Sequence, residues 1–454
     1  MLLFGIEVDM QQKQITPVKK IVNNHIMVSV AGSKSITNRA LLLATLADGE
    51  SRLAGALFSD DSRHFLKCVE DLGFETVVDE PGREIRVKGI GGAVPRSEAS
   101  IYVGSAGTAA RFLAAYLGCS EGRFYLDASE QMRKRPMGPL LKALESVGAR
   151  IICTEESGHF PMEICSRGIS QYHITVDIDK SSQFLSALLI SGCLSKEDLH
   201  IHIEGSHGMA YIQMTIDMME QFGVHAEKMS DREFVIPAGQ GYKAMDYYIE
   251  PDASAAAYFW AMAAILGISV TVAHTHFDSL QGDVEFAKIL ERMGCLVEDR
   301  GEGITVTGPE DGVLKGIDVN MHACSDQAIT LAAIAPFADG PVHIRGISHI
   351  RLQESDRIAA IVENLTALGV HVEEEQDGVV IYPQLSEVLS TGSCSVRKLQ
   401  PAVIQTHDDH RLAMGFAITG LRSPGVTILD PLCCRKTFEN YFDVLEETIC
   451  KIQG

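Results

Sequence analysis

Positive charge is scarce in this chain. Lys and Arg total 39 against 60 Asp and Glu, and the formal net charge is −21. A surface this acidic excludes non-specific binding to nucleic acid or to anionic membranes. If the chain handles anions, its cations must be concentrated locally. Clustered metal ligands are lacking too. Eleven cysteines are scattered without a repeated CxxC spacing, apart from the neighbours Cys433 and Cys434. That excludes a zinc site of the usual spacing, and an odd count suits reduced thiols in the cytoplasm. The first residues, Met1 to Asp9, hold too short an apolar run for a signal peptide. One uncharged run, Ala255 to Ala273, is alanine-rich, broken by Gly267 and β-branched after it. It reads as a buried helix, a tight turn and a strand, not as a membrane span.

What is present is a chain of 454 residues, 46% apolar, long enough for two domains with full cores. It is organised around Ala31-Gly-Ser-Lys-Ser-Ile-Thr-Asn-Arg39, which follows an extended segment, His25 to Val30. A Gly-Ser turn opens a helix, with Lys34 and Arg39 beside its start. The first N–H groups of a helix lack internal partners and its dipole is positive there, so a carboxylate or phosphate is favoured. An ordinary capped helix with solvated cations is the plain alternative for one such site. The device recurs, however.

Five amphipathic segments end in an apolar residue followed by Gly73, Gly148, Gly223, Gly294 and Gly369, at steps of 75, 75, 71 and 75 residues. Glycine after an apolar helix end is the usual C-cap signal. A sixth segment, Phe438 to Ile449, closes the chain. Each period also holds an earlier helix of small apolar residues, opening after Gly32-Ser-Lys-Ser35, Gly104-Ser-Ala-Gly-Thr108, Lys180-Ser-Ser-Gln183, Pro251-Asp-Ala-Ser254, Ser325-Asp-Gln327 and Asp408-Asp-His-Arg411. A strand-like run follows each one. The spacing predicts six units reading strand, helix, strand, helix, strand. The first helices should be buried all round and the second should face solvent. The fold class is therefore α/β: two similar lobes, each of three repeated units with buried helices and outer sheets.

With these residues in view the chain resembles the enolpyruvyl transferase family over essentially its whole length. The motifs are Gly32-Ser-Lys-Ser-Ile-Thr-Asn-Arg-Ala40, Ser59-Asp-Asp61, Ala106-Gly-Thr-Ala109, Met132-Arg-Lys-Arg-Pro136, Ser181-Ser-Gln-Phe-Leu-Ser-Ala187, Gln281-Gly-Asp283, Glu354-Ser-Asp-Arg357, Asp409-His-Arg-Leu-Ala-Met414 and Lys436-Thr-Phe438. The resemblance implies an inside-out α/β fold with an N-terminal lobe over 32–249. The C-terminal lobe takes 1–31 plus 250–454, with the active site in the interlobe cleft. It implies transfer of the enolpyruvyl group of phosphoenolpyruvate (PEP) to the 5-hydroxyl of shikimate 3-phosphate, without metal or organic cofactor. Small-molecule substrates, no nucleic acid, no membrane and a monomer are the expected associations.

By the same resemblance PEP is held by Lys34, Gly107, Arg135, Gln183, Arg357, Arg411 and Lys436. Asp326 is the base on the acceptor hydroxyl and Glu354 the proton donor to the methylene, with Lys34 also catalytic. The acceptor is held by Lys34, Ser35, Arg39, Ser181, Ser182, Gln183, Tyr211, Asp326, His349 and Gln353. Four positions depart from the family pattern. Gly208 replaces a serine, with Ser206 as a nearby substitute. His349 and Ser105 replace asparagines, and Gln353 replaces a lysine. A sibling transferase for another hydroxyl acceptor is the alternative these departures leave. A branch acting on UDP-N-acetylglucosamine uses a cysteine in the loop over 127–135, where this chain has Gln131. A non-catalytic anion-binding protein is the reading from another class. Both carboxylates and all the PEP cations speak against it.

Overall fold

The computed structural model describes residues 11–205, 208–383 and 399–454. The N-terminal run through Asp9 and Ser206 lie outside these residues. The chain divides into two compact units. The first comprises Val30–Ala253 and Asp278–Gly282, and the second comprises Met1–Ser29, Ser254–Phe277 and Asp283–Gly454.

The first unit repeats one pattern three times. A strand leads into a buried helix, a parallel strand follows, then an outer helix, then a hairpin. In the middle repeat these are Glu98–Tyr102, the helix Gly107–Cys119, Glu121–Asp127, the helix Gly138–Ser146, and the hairpin Arg150–Cys153 with Met162–Arg167. The first two strands pair in parallel, with Ala99 opposite Phe124. The last hairpin strand then inserts beside them, antiparallel, with Phe124 opposite Ile164. Each period thus has four strands where three were expected. The extra one follows a tight turn. Its hairpin partner is a polar edge strand, such as Glu75–Asp79, and carries too little apolar alternation to read as a separate element.

The second unit holds two further four-stranded sheets of the same order and one of three strands. In the three-stranded sheet Gln12–Gln14 takes the hairpin's place, antiparallel to Thr427–Leu429. Two strands are exchanged relative to chain order. His25–Val28 pairs in parallel with Ser269–Val272 in the second unit. The vacant edge of the first repeat's sheet is closed by Asp246–Tyr248, alongside Arg52–Ala54.

The helices that open the periods are mostly apolar and are buried on nearly every side. Gly107–Cys119 is buried at every position, and His410–Arg422 at all but its last. The uncharged run after Ala255 forms the helix Ala253–Leu266, a left-handed Gly267 and the strand Ser269–Ala273. Among the described residues no helix is long and apolar enough to cross a membrane.

The outer helices share one stop. Gly73, Gly148, Gly223, Gly294 and Gly369 all have φ between +79° and +113°. At each one the glycine N–H bonds three residues back, and the next N–H bonds five residues back. Gly294 donates to Glu291 O at 2.9 Å and Cys295 to Leu290 O at 3.0 Å. This is the Schellman motif. The residue after each glycine, Phe74, Ala149, Val224, Cys295 or Val370, is buried. The apolar residue beyond the cap therefore turns the chain back into the core as the next strand begins.

A different glycine, Gly308, exists for close approach: a Cβ there would strike the carbonyl oxygens of Ala263 and Ala264. At Gly294 the nearest atom to an added Cβ is Lys315 Cε at 3.6 Å, so only the backbone conformation objects. Gly294→Ala is expected to cost about 1 kcal/mol, and Gly308→Ala about 2–3 kcal/mol or more from overpacking. Thermal unfolding should show the larger drop for Gly308→Ala. Equal drops, or the reverse order, would refute the distinction.

Candidate active site

In the first unit the cationic residues gather at the N-termini of the buried helices. Ser33 caps Lys34–Leu46, its hydroxyl accepting from the Ile36 N–H. Lys34 extends from the first turn, with its backbone N–H bonded to Asp252 Oδ2 at 3.0 Å and Nζ 3.5 Å from Asp61 Oδ2. One turn further, Arg39 is 3% exposed. Its Nε donates to Thr215 Oγ1 at 2.8 Å, and its terminal nitrogens donate to the carbonyls of Ser35 and Tyr211. Phe112 packs beneath the guanidinium. All these partners are neutral. Burial therefore dominates and pulls the Arg39 pKa down to about 10. A buried arginine without a carboxylate is costly unless something anionic is to be supplied.

Gly107 opens the second buried helix. An added Cβ would meet Arg111 Nη1 at 2.6 Å and Arg135 Nη1 at 2.8 Å, so the glycine is what lets two guanidinium groups approach one helix start. Among the described residues Arg135 has no ion pair, and its buried Nε has no hydrogen-bond partner. Gln183 begins the third buried helix and reaches Thr108 Oγ1 at 3.4 Å, while its buried Oε1 has no partner among the described residues. Ser181 and Ser182 precede it, with Ser181 Oγ accepting from the Gln183 N–H at 3.3 Å. Gly208, at φ +70°, lies so close that a Cβ would fall 2.5 Å from Ser182 Oγ. The glycine at this departure thus makes room for Ser182, in a conformation that a serine adopts poorly. At Ser105 the hydroxyl bonds Ser129 Oγ at 2.7 Å.

The second unit has the opposite character, because its cations are matched. Arg357 begins an outer helix, Arg357–Ala367, and is 1% exposed. It donates from Nη1 to Asp326 Oδ1 at 3.0 Å, from Nη2 to Glu354 Oε2 at 2.8 Å and from Nε to Asp409 Oδ2 at 2.8 Å. Burial works against its charge, but the three carboxylates outweigh that and hold its pKa above the ordinary arginine value. Arg411 Nη2 takes the other Asp326 oxygen at 2.7 Å, and Lys436 Nζ stands 3.4 Å from Glu354 Oε1. Asp409 also caps the buried helix His410–Arg422 by accepting from the Arg411 N–H. Asp326 and Glu354 are thus tied to one guanidinium by separate arms. His349 Nε2 lies 2.8 Å from Ser325 Oγ, beside Asp326, and Gln353 ends the same short turn.

Three residues that contact the candidate site residues escaped the sequence reading. Arg111 is an arginine inside the apolar helix Gly107–Cys119, and that incongruity was the available signal. Asp61 and Asp409 stood in quoted motifs without a role, although a carboxylate next to proposed anion-binding cations is itself informative. Among the described residues no group of His, Cys, Asp or Glu side chains is placed to hold a metal ion.

Repeated α/β units with buried helices and outer sheets are the architecture of the enolpyruvyl transferase fold. The profile of EPSP synthase (3-phosphoshikimate 1-carboxyvinyltransferase) matches residues 18–445, and the chain belongs to that family. A 3-phosphoshikimate 1-carboxyvinyltransferase of Trichormus variabilis is 45% identical over 416 residues, 91% of this chain and 94% of the relative. One of Vibrio campbellii is 40% identical, covering 97% of this chain and 100% of the relative. The EPSP synthase structure of Acinetobacter baumannii superposes with a TM-score of 0.79 at 25% identity, covering 96% of this chain and 98% of that one.

Below about pH 10 Arg39 is charged in both folded and unfolded states, and the fold carries the whole cost of burying it. An anion offsets that cost only in the folded state. Inorganic phosphate should therefore raise the melting temperature by mass action. Arg39→Gln and Arg135→Gln should each shrink that rise. An undiminished rise in both variants would show that these guanidinium groups do not hold the anion.

Proposed function

We infer that the chain transfers the enolpyruvyl group of PEP to the 5-hydroxyl of shikimate 3-phosphate and releases phosphate. The observation that carries this reading is the shared guanidinium of Arg357, which holds Asp326 and Glu354 together inside a family-wide match. The donors for PEP are Lys34, Gly107, Arg135, Gln183, Arg357, Arg411 and Lys436. Arginine suits the task because its fork pairs with both a carboxylate and a phosphate.

The ion pairs suggest how the acid is armed. Without substrate, Arg357 and Lys436 stabilise Glu354 as a carboxylate. When the anionic groups of PEP engage these cations, Glu354 loses charge stabilisation and its affinity for a proton rises. It then protonates C3 of PEP. Asp326, tied to Arg357 and Arg411, takes the proton of the attacking hydroxyl as the oxygen bonds to C2. In the second step Glu354, now a carboxylate, takes back a C3 proton, and phosphate departs from C2 with the proton held by Asp326, restoring the double bond. Dense positive charge stabilises both anionic stages.

Ser35, Arg39, Ser181, Ser182, Gln183 and Tyr211 fit the acceptor's carboxylate and phosphate, and His349 and Gln353 complete that side. Arg39 supports this, since its neutral partners leave its charge available.

Asp326→Asn and Glu354→Gln should each lower turnover about 10²–10⁴-fold, the usual worth of a general base or acid. Phosphate release from PEP with shikimate 3-phosphate is the assay, and near-normal turnover in either variant would remove that residue from its role. The proposed PEP cations are divided between the two units. Adding both substrates should therefore lower the radius of gyration in small-angle scattering, and no change in an active sample would count against that division of labour.

A further inference from the structure

The base of the proposed reaction stands on an irregular piece of backbone. Asp326 lies in the turn His322–Gln327, which is broken at Cys324, where φ is −132° and ψ is 42°. In a regular helix the i→i−4 bonds hold each residue in place. Across such a break, side-chain contacts have to do so. Gln327 follows Asp326 directly and is wholly buried. It donates from Nε2 to Asp283 Oδ1 at 3.1 Å, and its Oε1 accepts from the Thr330 hydroxyl at 3.2 Å. Both ends of the amide are thus fixed. Asp283 comes from a stretch 44 residues earlier. It closes the family motif Gln281-Gly-Asp283, in the short turn Gly282–Val284 that precedes the helix Glu285–Arg292. It is 4% exposed. Burial pushes the Cys324 thiol up, and the charges of Asp283, Glu285 and Asp326 push it further, so these carboxylates lie within reach of the break. The helix Glu285–Arg292 packs on the same turn, and mere packing is the plain alternative role for Asp283.

We propose that Asp283 is a positioning residue for the base: by tethering Gln327 it sets the direction in which the adjacent Asp326 presents its carboxylate to the acceptor hydroxyl. The proposal rests on the reading of Asp326 as base given above. Each oxygen of Asp326 is drawn toward a guanidinium, Oδ1 by Arg357 at 3.0 Å and Oδ2 by Arg411 at 2.7 Å. Charge-assisted bonds of this kind are strong. A loosened backbone would let the carboxylate settle deeper into those ion pairs and away from a hydroxyl. The tether resists that pull, and a carboxylate suits the task because it accepts from an amide more strongly than a neutral oxygen does. Burying a charge is costly, and apolar groups of like volume often serve stability as well or better. A buried charge in this place therefore favours precision of position over packing.

The test is a set of single and double variants, assayed by phosphate release from PEP with shikimate 3-phosphate. Asp283→Ala removes the acceptor of the tether, and Gln327→Met keeps the volume but cannot donate. Each should lower kcat about 10–100-fold, the scale of a misplacement near 1 Å, with little change in either KM. Asp283→Asn keeps an oxygen in the same place and should retain most of kcat. Asp283→Ala combined with Gln327→Met should lose no more than either alone, because both cut one bond. In an Asp326→Asn background neither change should lower kcat further, since the group they position is gone. Losses that multiply in either kind of double variant would overturn the proposal and leave Asp326 as base. So would a rise in KM with kcat unchanged, or a loss in Asp283→Asn equal to that of Asp283→Ala. If Asp283→Ala does not fold, Gln327→Met alone and in the Asp326→Asn background decides the matter. Near-normal turnover in Asp326→Asn would overturn the base itself, and the proposal with it.

Discussion

A single buried guanidinium governs the second unit. Arg357 is almost wholly removed from water and would be intolerable there alone. It is made stable by three carboxylates from three separate stretches of chain, Asp326, Glu354 and Asp409. Each of those stretches has its own structural duty. Asp326 lies in the short turn preceding the helix Ala328–Ile334, Glu354 precedes the helix of Arg357, and Asp409 caps the helix that carries Arg411. Neutralising the arginine and aligning the helix starts are therefore one act. The first unit solves a different problem. Among the described residues its guanidinium groups at positions 39 and 135 have no carboxylate partner, and Arg39 donates only to neutral oxygens.

The repeat makes such sites available. A helix can present its N-terminus inward only if its sides are acceptable to the core. Small, aliphatic and aromatic residues around most of the circumference of Gly107–Cys119 and Ala253–Leu266 meet that condition. The outer helices then have to stop at one place and return the chain to the sheet. The five Schellman glycines do this with identical bonding. The sheets bear little chemistry of their own and act as the frame that fixes where the buried helices begin.

Much of this was legible in the sequence because it rests on local rules. A left-handed glycine after an apolar residue, a hydroxyl before a helix and an alanine-rich run each carry their meaning within a few residues. The period of about 75 emerged from the first of these alone. Fold class and family are borne out by the match over 18–445 and by the structural likeness. What was not legible depends on contacts distant in sequence. The fourth strand of each four-stranded sheet pairs through an edge that looks polar. The role of Asp409 appears only when Arg357, 52 residues away, is laid against it. Gly208 looked like the loss of a phosphate ligand, and its reason, the proximity of Ser182, is purely spatial.

The exchanged strands set an order of events during synthesis. His25–Val28 leaves the ribosome among the first segments, yet its partner Ser269–Val272 is encoded some 240 residues later. At about 5–20 residues per second the early strand waits roughly 12–48 s without its neighbour. Meanwhile the first unit gains its own closing strand, Asp246–Tyr248, just before that partner is made. The nascent chain can thus complete one unit while an orphaned strand trails from its start. His25–Val28 is short, and its outward positions carry His25 and Met27, with Ile26 and Val28 the side chains that need cover. Such brevity limits what an unpaired edge can recruit while it waits.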